Sequence, residues 1–254
     1  MNPLILYDNA LTRGTLSSTS LATGFNVQSI KDQRPFTQVK FAAAGSANYI
    51  QCSFDAAEDI DCFAVVGHNL YTIGASLQLQ GSNNGSDWNP ITGGSKTPTD
   101  DNPFMLKFTK VTVAYLKIVI SNTLGLPYLG TAFAAEALQM EQTADGPRIP
   151  YSEGIIKDSE TSKDGNPLGT VLRYNPVTIN HTYSNLTRSW IKSDYKPFWD
   201  NSGKLGNWFF YCTDLTNDPD EVFYCQFTDD ARLETPQSIL TYADSLQLNM
   251  LGVR

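Results

Sequence analysis

At 254 residues, with 41% hydrophobic and 11% aromatic side chains, the chain can build one large or two medium domains around a real core without disulfides. Charged residues make up only 17% and the formal net charge is −8, with an isoelectric point near 4.7. That balance, with no block of Lys and Arg anywhere, excludes a nucleic-acid-binding face, which needs clustered cations. Thr, Ser, Asn and Gln are abundant instead, a polar but uncharged surface that suits β-rich proteins docking to neighbours. No apolar run approaches the roughly 20 residues of a membrane span. Met1 to Asp8 has neither the basic region nor the apolar length of a signal peptide, so the expectation is synthesis in a cytoplasm and retention there until release. The sequons at Asn84, Asn180 and Asn185 are then chance matches.

In chain order, Thr37–Phe41, Tyr49–Phe54, Cys62–Val66, Ala75–Leu79 and Tyr115–Ile120 each read as a short strand. Leu77 and Leu79 alternate with Gln78 and Gln80, which places the leucines on one face. The polar turn Gly81-Ser-Asn-Asn-Gly-Ser-Asp-Trp88 follows, with Asn84-Gly85 expected to supply positive φ for a tight reversal. Leu116, Ile118 and Ile120 share one face with Lys117 on the other. Ala132–Met140 is either a closing strand or contains a helical turn. Short strands with Gly, Pro and Asn turns, and almost no helical period, predict an all-β sandwich or jelly roll over residues 1–142.

Residues 143–169, rich in Gly, Pro and polar side chains, read as a linker or long loop. A smaller β-rich domain is predicted for residues 170–254. In it Val177, Ile179, His181 and Tyr183 share a strand face. One short helix is predicted at Ser184–Ile191, with Ser184 capping it and Lys196-Pro197 ending it. Trp208–Cys212 and Glu221–Phe227 are aromatic strands joined by the acidic loop Asp214–Asp220, and Ile239–Tyr242 and Leu246–Leu251 complete the unit.

Motifs of catalysis are missing: there is no Gly-x-Ser-x-Gly elbow, phosphate-binding Gly-Lys-Ser/Thr loop or dinucleotide fingerprint. His68 and His181 are the only histidines, and neither has a second ligand at metal spacing. Cys52, Cys62, Cys212 and Cys225 lie in apolar runs without a CxxC pair and read as buried thiols, Cys212 and Cys225 being candidate cross-strand neighbours. The carboxylates Asp100, Asp101 and Asp214–Glu221 read as solvated loops; the second cluster lacks the acid spacing and turn glycine of an EF-hand. Trp208–Tyr211 are consecutive aromatics, so a strand there turns some of them away from the core. The chain is therefore read as having no enzymatic activity, no cofactor and no metal.

Two stretches carry resemblances to known families. Val65-Val-Gly-His-Asn-Leu70, followed by Leu77-Gln-Leu-Gln-Gly-Ser-Asn83, resembles the discoidin-like (galactose-binding-like) β-sandwich modules found in tail proteins of bacterial viruses. The runs Arg188-Ser-Trp190, Lys196-Pro-Phe-Trp199 and Asp218-Pro-Asp-Glu-Val-Phe-Tyr-Cys225 are similar to small β domains of tail-tip ring proteins. The resemblance implies a structural virion protein of the distal-tail type, assembled in the host cytoplasm. Such a protein forms a homo-oligomeric ring between the tail tube and the hub or fibre proteins, with Trp199, Trp208 and Phe209 as subunit-interface residues. The alternative it implies is a carbohydrate-binding module that recognises a host surface glycan. Its ligand would meet the loops Ser95–Phe104 and Asn122–Gly130, through Asp100, Asp101, Phe104 and Tyr128.

Overall fold

Antiparallel strands dominate the computed structural model, which describes residues 2–45, 48–121, 124–145, 151–174, 176–228, 242–243 and 246–253. The first sheet runs β2 (Gly14–Ser18), β4 (Asn48–Val66), β7 (Phe104–Ser121), β5 (Ser76–Ser82) and β6 (Asn89–Lys96), with β9 (Thr131–Ala135) added along the far half of β4. The sequence divides β4 and β7 into shorter pieces. The structure joins them into strands of 19 and 18 residues that bend where their pairing slips, between Ser53 and Glu58 and again between Ile60 and Cys62. Ile50, Cys52 and Phe54 before the bend and Phe63 and Val65 after it enter one core. Two 3-10 helices, Ala10–Arg13 and Val27–Lys31, close that core with Ala10, Leu11 and Ile30, beside the paired strands β3 (Val39–Lys40) and β8 (Tyr128–Leu129). The result is the expected β-sandwich.

The second sheet runs β10 (Leu138–Gln139), β1 (Leu4–Leu6), β16 (Phe209–Cys212), β17 (Val222–Phe227), β19 (Leu246–Val253), β14 (Val177–Tyr183) and β11 (Ser152–Glu153). Its membership crosses the boundary expected near residue 142: the first strand of the chain lies between β10 and β16. Both of its faces are covered. Phe209, Tyr211, Phe223 and Cys225 meet a helical segment, while Phe210, Cys212, Val222 and Tyr224 meet Cys62, Ala64, Val66, Met105 and Phe133 from the outside of the sandwich. The order of layers is therefore helix, sheet and sandwich.

Three expectations need correction. The stretch expected as linker contains β11 and most of a hairpin of β12 (Ile156–Thr161) and β13 (Pro167–Tyr174); residues 146–150 lie outside the described residues. The helical segment is longer than predicted and runs through Arg188–Trp190, Ile191–Tyr195, Lys196–Phe198 and Trp199–Gly203, the second and fourth pieces being π-helical. Pro197 does not end it: Lys196 N–H bonds back to Ile191 to close the π-helical piece, and Pro197 stands in the first turn of the next piece, where a proline is tolerated. Thr187, not Ser184, is the cap: its Oγ1 accepts from Trp190 N at 3.3 Å. Thr187 belongs to β15 (Leu186–Thr187), paired with β18 (Tyr242–Ala243), whereas residues 239–241 of the strand predicted there are outside the described residues.

Candidate functional site

The outer face of the first sheet carries the chain's clearest cluster of half-buried aromatic and polar side chains. Because β4 alternates, Ile50, Cys52 and Phe54 point inward and leave Tyr49, Gln51 and Ser53 outside. The same alternation on β7 leaves Tyr115, Lys117 and Val119 outside. Register then forms three rungs across β4, β7 and β5: Tyr49 with Val119 and Gln78, Gln51 with Lys117 and Gln80, and Ser53 with Tyr115 and Ser82.

A polar loop brings the fourth element. Asn84 Oδ1 accepts from Ser86 N and Asp87 N, both at 2.9 Å, and Ser82 Oγ accepts from Gly85 N at 3.0 Å. Asn83 Oδ1 accepts from Ala114 N at 3.1 Å, so the loop folds back over β7. The reversal spans six residues rather than two, with Gly85 at φ 74° and Asn84 outside the positive-φ region. A Cβ on Gly85 would sit 3.3 Å from the Tyr115 ring, which shows how closely the loop is applied. Trp88 is thereby placed over the middle rung. The Lys117 ammonium lies 3.6 Å from the Trp88 ring centroid and 4.8 Å from that of Tyr49. Tyr115 meets Trp88 edge-on at 6.4 Å. Partial burial lowers the Lys117 pKa, and no carboxylate acts against that shift. Behind the same hairpin an open groove of about 440 Å³ is lined by Gly81, Asn83, Asn89, Ile91, Thr109 and Val113.

The loop residues singled out from sequence have other occupations. Asp100 accepts from Asn102 N at 3.0 Å and Nδ2 at 2.8 Å. Asp101 accepts from Tyr71 N at 2.9 Å, from Thr72 N at 3.3 Å and from the Thr72 hydroxyl. Phe104 is only 4% exposed and packs edge-on against His68, so it is a core residue and not a ligand contact. Tyr128 is half-buried in β8, its N–H donating to Asn69 Oδ1 at 2.9 Å. Asn69 Nδ2 also donates to the Leu126 carbonyl at 3.0 Å, and His68 Nε2 donates to the Asn102 carbonyl at 2.9 Å. Gly67-His68-Asn69-Leu70 is thus a clamp that ties both loops to the sandwich. Asn122 and Thr123 of the second loop lie outside the described residues.

Two of the three expected interface residues are corrected too, while Trp208 is half-buried. Phe209 is fully buried, Trp199 is 8% exposed with its ring 5.5 Å from Phe227, and Trp208 stacks on Tyr224 at 5.0 Å. The consecutive aromatics of β16 do not point outward, because the sheet is buried on both sides and each face takes alternate residues. Phe209 and Trp199 fill this chain's own core rather than a face offered to another subunit.

All four cysteines are buried free thiols. Burial raises Cys52 and Cys212 to about 12. Cys212 sits opposite Val222 and Cys225 opposite Phe209, so the two are not neighbours across the strands. His181 Nδ1 lies 2.5 Å from Tyr211 Oη in a buried cluster completed by Tyr183 Oη, 2.8 Å from Tyr211 Oη. Asp214 turns its carboxylate onto its own loop, accepting from Asn217 Nδ2 at 2.7 Å. Among the described residues no group of three or more His, Cys, Asp or Glu side chains is arranged to hold a metal ion. No helix among them is long and apolar enough to cross a membrane.

No family model matches the sequence, and no curated protein does. Among solved structures, a chitosan-binding module from a chitosanase/glucanase of Paenibacillus sp. IK-5 is 16% identical, with a TM-score of 0.44 over 51% of this chain and 99% of that one. A CBM32 module of Clostridium perfringens in complex with GalNAc-β-1,3-galactose is 12% identical, with a TM-score of 0.44 over 52% and 99%. A pectin-binding carbohydrate-binding module is 20% identical, with a TM-score of 0.41 over 48% and 89%. At these values no ligand or activity transfers from those modules to this chain.

Proposed function

We propose that the chain is a non-catalytic carbohydrate-binding protein whose ligand lies on the outer face of the first sheet, against Trp88. The observation that carries this reading is the grouping of Trp88, Tyr49 and Tyr115 around free amides. The side-chain amides of Gln51 and Gln80 make no hydrogen bond with other described residues, and they stand on either side of Lys117 in the central rung. A pyranose ring has an apolar C–H face and a hydroxyl rim. Half-buried aromatic rings supply apolar area for the face, and glutamine amides supply both donors and acceptors for the rim. A flat, open face matches recognition of a chain better than chemistry on it, since nothing there excludes water or converges ionised groups on one atom.

A glycan array followed by calorimetry tests the reading. Trp88→Ala is expected to weaken binding of the glycans captured by about tenfold or more, as loss of an aromatic anchor does, while thermal stability changes little because the side chain is half-exposed. Tyr128→Ala, in the loop expected from sequence, leaves affinity unchanged. Equal binding by Trp88→Ala and wild type would remove the site.

A second reading, a ring-forming component of a virion tail tip, rests on a different observation. Every described side chain of β12 is exposed, and on the hairpin and its approach Ile155, Leu168 and Val171 are 65–68% exposed. An isolated two-stranded ribbon is marginal in water, and its mixed charges, including the Arg173–Asp158 pair, suit a second copy of the same surface. Light scattering at rising concentration is expected to give a closed ring of fixed mass on this reading. A monomer at every concentration, with glycan bound, counts against it.

A further inference from the structure

The aromatic face holds a cation that no acid among the described residues pairs with. Some cations of this acidic chain have acids beside them: Arg13 meets Asp8 at 2.7 Å and Glu58 at 2.8 Å, and Lys107 meets Asp61. Half-buried Lys31, Lys40 and Lys96 have no ion pair among the described residues, and Lys117 differs from them in standing against two rings. The Lys117 ammonium makes no ion pair and no side-chain hydrogen bond with any described residue. It is instead held between the Trp88 and Tyr49 rings, at 3.6 and 4.8 Å from their centroids. Ring faces attract a cation, yet they leave the N–H donors without acceptors. Gln51 and Gln80 stand directly across the two neighbouring strands from it. Neutral donors and acceptors thus surround one fixed positive charge at the centre of the platform.

A neutral polysaccharide offers such a charge only neutral hydroxyl acceptors, which offset the partial desolvation of the ammonium less fully than an anion does. A carboxylate on the sugar supplies the missing acceptor, and a charge-assisted hydrogen bond is about twice as strong as a neutral one. We infer that the platform is selective for acidic glycans, with Lys117 binding the carboxylate of a uronic-acid ring and Gln51 and Gln80 binding its hydroxyls. This inference rests on the reading of the same face as a glycan site. Lys117 is then the specificity residue and Trp88 the affinity residue, and the two functions separate by mutation.

The test compares trigalacturonic acid and trimannuronic acid with their methyl esters, which keep ring and linkage and remove the charge. For wild type, one acid or the other is expected to bind about tenfold or more tighter than its ester, an advantage that shrinks in high salt. Lys117→Met brings the acid down to the affinity of the ester, whereas Lys117→Arg keeps the preference; unchanged thermal midpoints show that the fold is intact. Acid and ester binding alike, or a preference that survives in Lys117→Met, overturns the role of Lys117 and leaves the platform standing. Failure of both acids and both esters, with neutral glycans still lost in Trp88→Ala, overturns the acidic preference alone. Failure of every glycan, neutral and acidic, removes the platform and this inference together.

Discussion

Phe210→Ala is expected to destabilise the entire chain by about 3–5 kcal/mol, the usual cost of deleting a fully buried phenylalanine, and to do so in one transition. Phe210 is completely buried, with the Phe133 ring 5.3 Å away and the Tyr224 ring 4.8 Å away. Phe133 belongs to β9, which pairs with β4 in the first sheet, while Phe210 and Tyr224 belong to the second. The cavity therefore opens between the two lobes and not inside either. The chain's first strand also crosses from the start of the sandwich into the second sheet, so one lobe cannot unfold without exposing apolar surface of the other. Urea denaturation followed by fluorescence and by far-ultraviolet circular dichroism measures this. Coincident curves, both shifted by the substitution, are the expected result. Two separate transitions, with only one of them moved, would mean that the lobes are independent domains with a thin contact.

Acidification is expected to weaken the fold through His68, and His68→Gln to flatten that dependence. The imidazole is buried, its Nε2–H donates to the Asn102 carbonyl at 2.9 Å, and Nδ1 faces the Leu70 N–H at 3.4 Å. Both contacts fit a neutral ring protonated on Nε2. Burial pushes the pKa of His68 below its ordinary 6.5, with Asp101 opposing the shift. The folded chain therefore binds this proton less readily than the unfolded chain. Stability from this group is fully present above pH 6.5 and is lost as the pH falls below it, by about 1.4 kcal/mol for each unit of depression. Glutamine keeps a donor for Asn102 and cannot titrate. Urea midpoints at pH 7.5 and 5.0 should fall further for wild type than for His68→Gln. Equal falls in the two proteins would assign the acid sensitivity to carboxylates instead.

The same histidine illustrates what a linear reading conveys and what it misses. Gly-His-Asn-Leu stands out in the sequence and carries a family resemblance, yet its side chains serve as fasteners: His68 holds the loop at Asn102 and Asn69 holds the one at Leu126 and Tyr128. Asp100, Asp101 and Phe104, read from sequence as ligand-facing, are bound up in that fastening or buried beside it. Local sequence marks a loop as polar; whether its carboxylates face solvent or cap neighbouring N–H groups depends on chain segments 30 residues away. Trp199 and Phe209 fail as interface residues for a related reason. A run of aromatics on one strand implies an exposed face only when a single core is assumed, and this sheet has a core on each side.

Period-two alternation did determine a good deal by itself. It placed Leu77 and Leu79 inward, Lys117 opposite Leu116 and Ile118, and Val177, Ile179, His181 and Tyr183 on one buried face, because strand geometry sends successive side chains to opposite sides whatever the remainder of the molecule does. All-β architecture and buried thiols follow from the same short-range rule. Which strands lie side by side obeys no such rule. The meeting of Tyr49, Trp88 and Lys117, residues up to 68 positions apart, required the register of β4 on β7 and the fold-back of the 83–88 loop, and both are settled by how the two long strands bend around a common core. The candidate site is thus a product of tertiary packing, built from side chains whose individual directions were already written in the alternation.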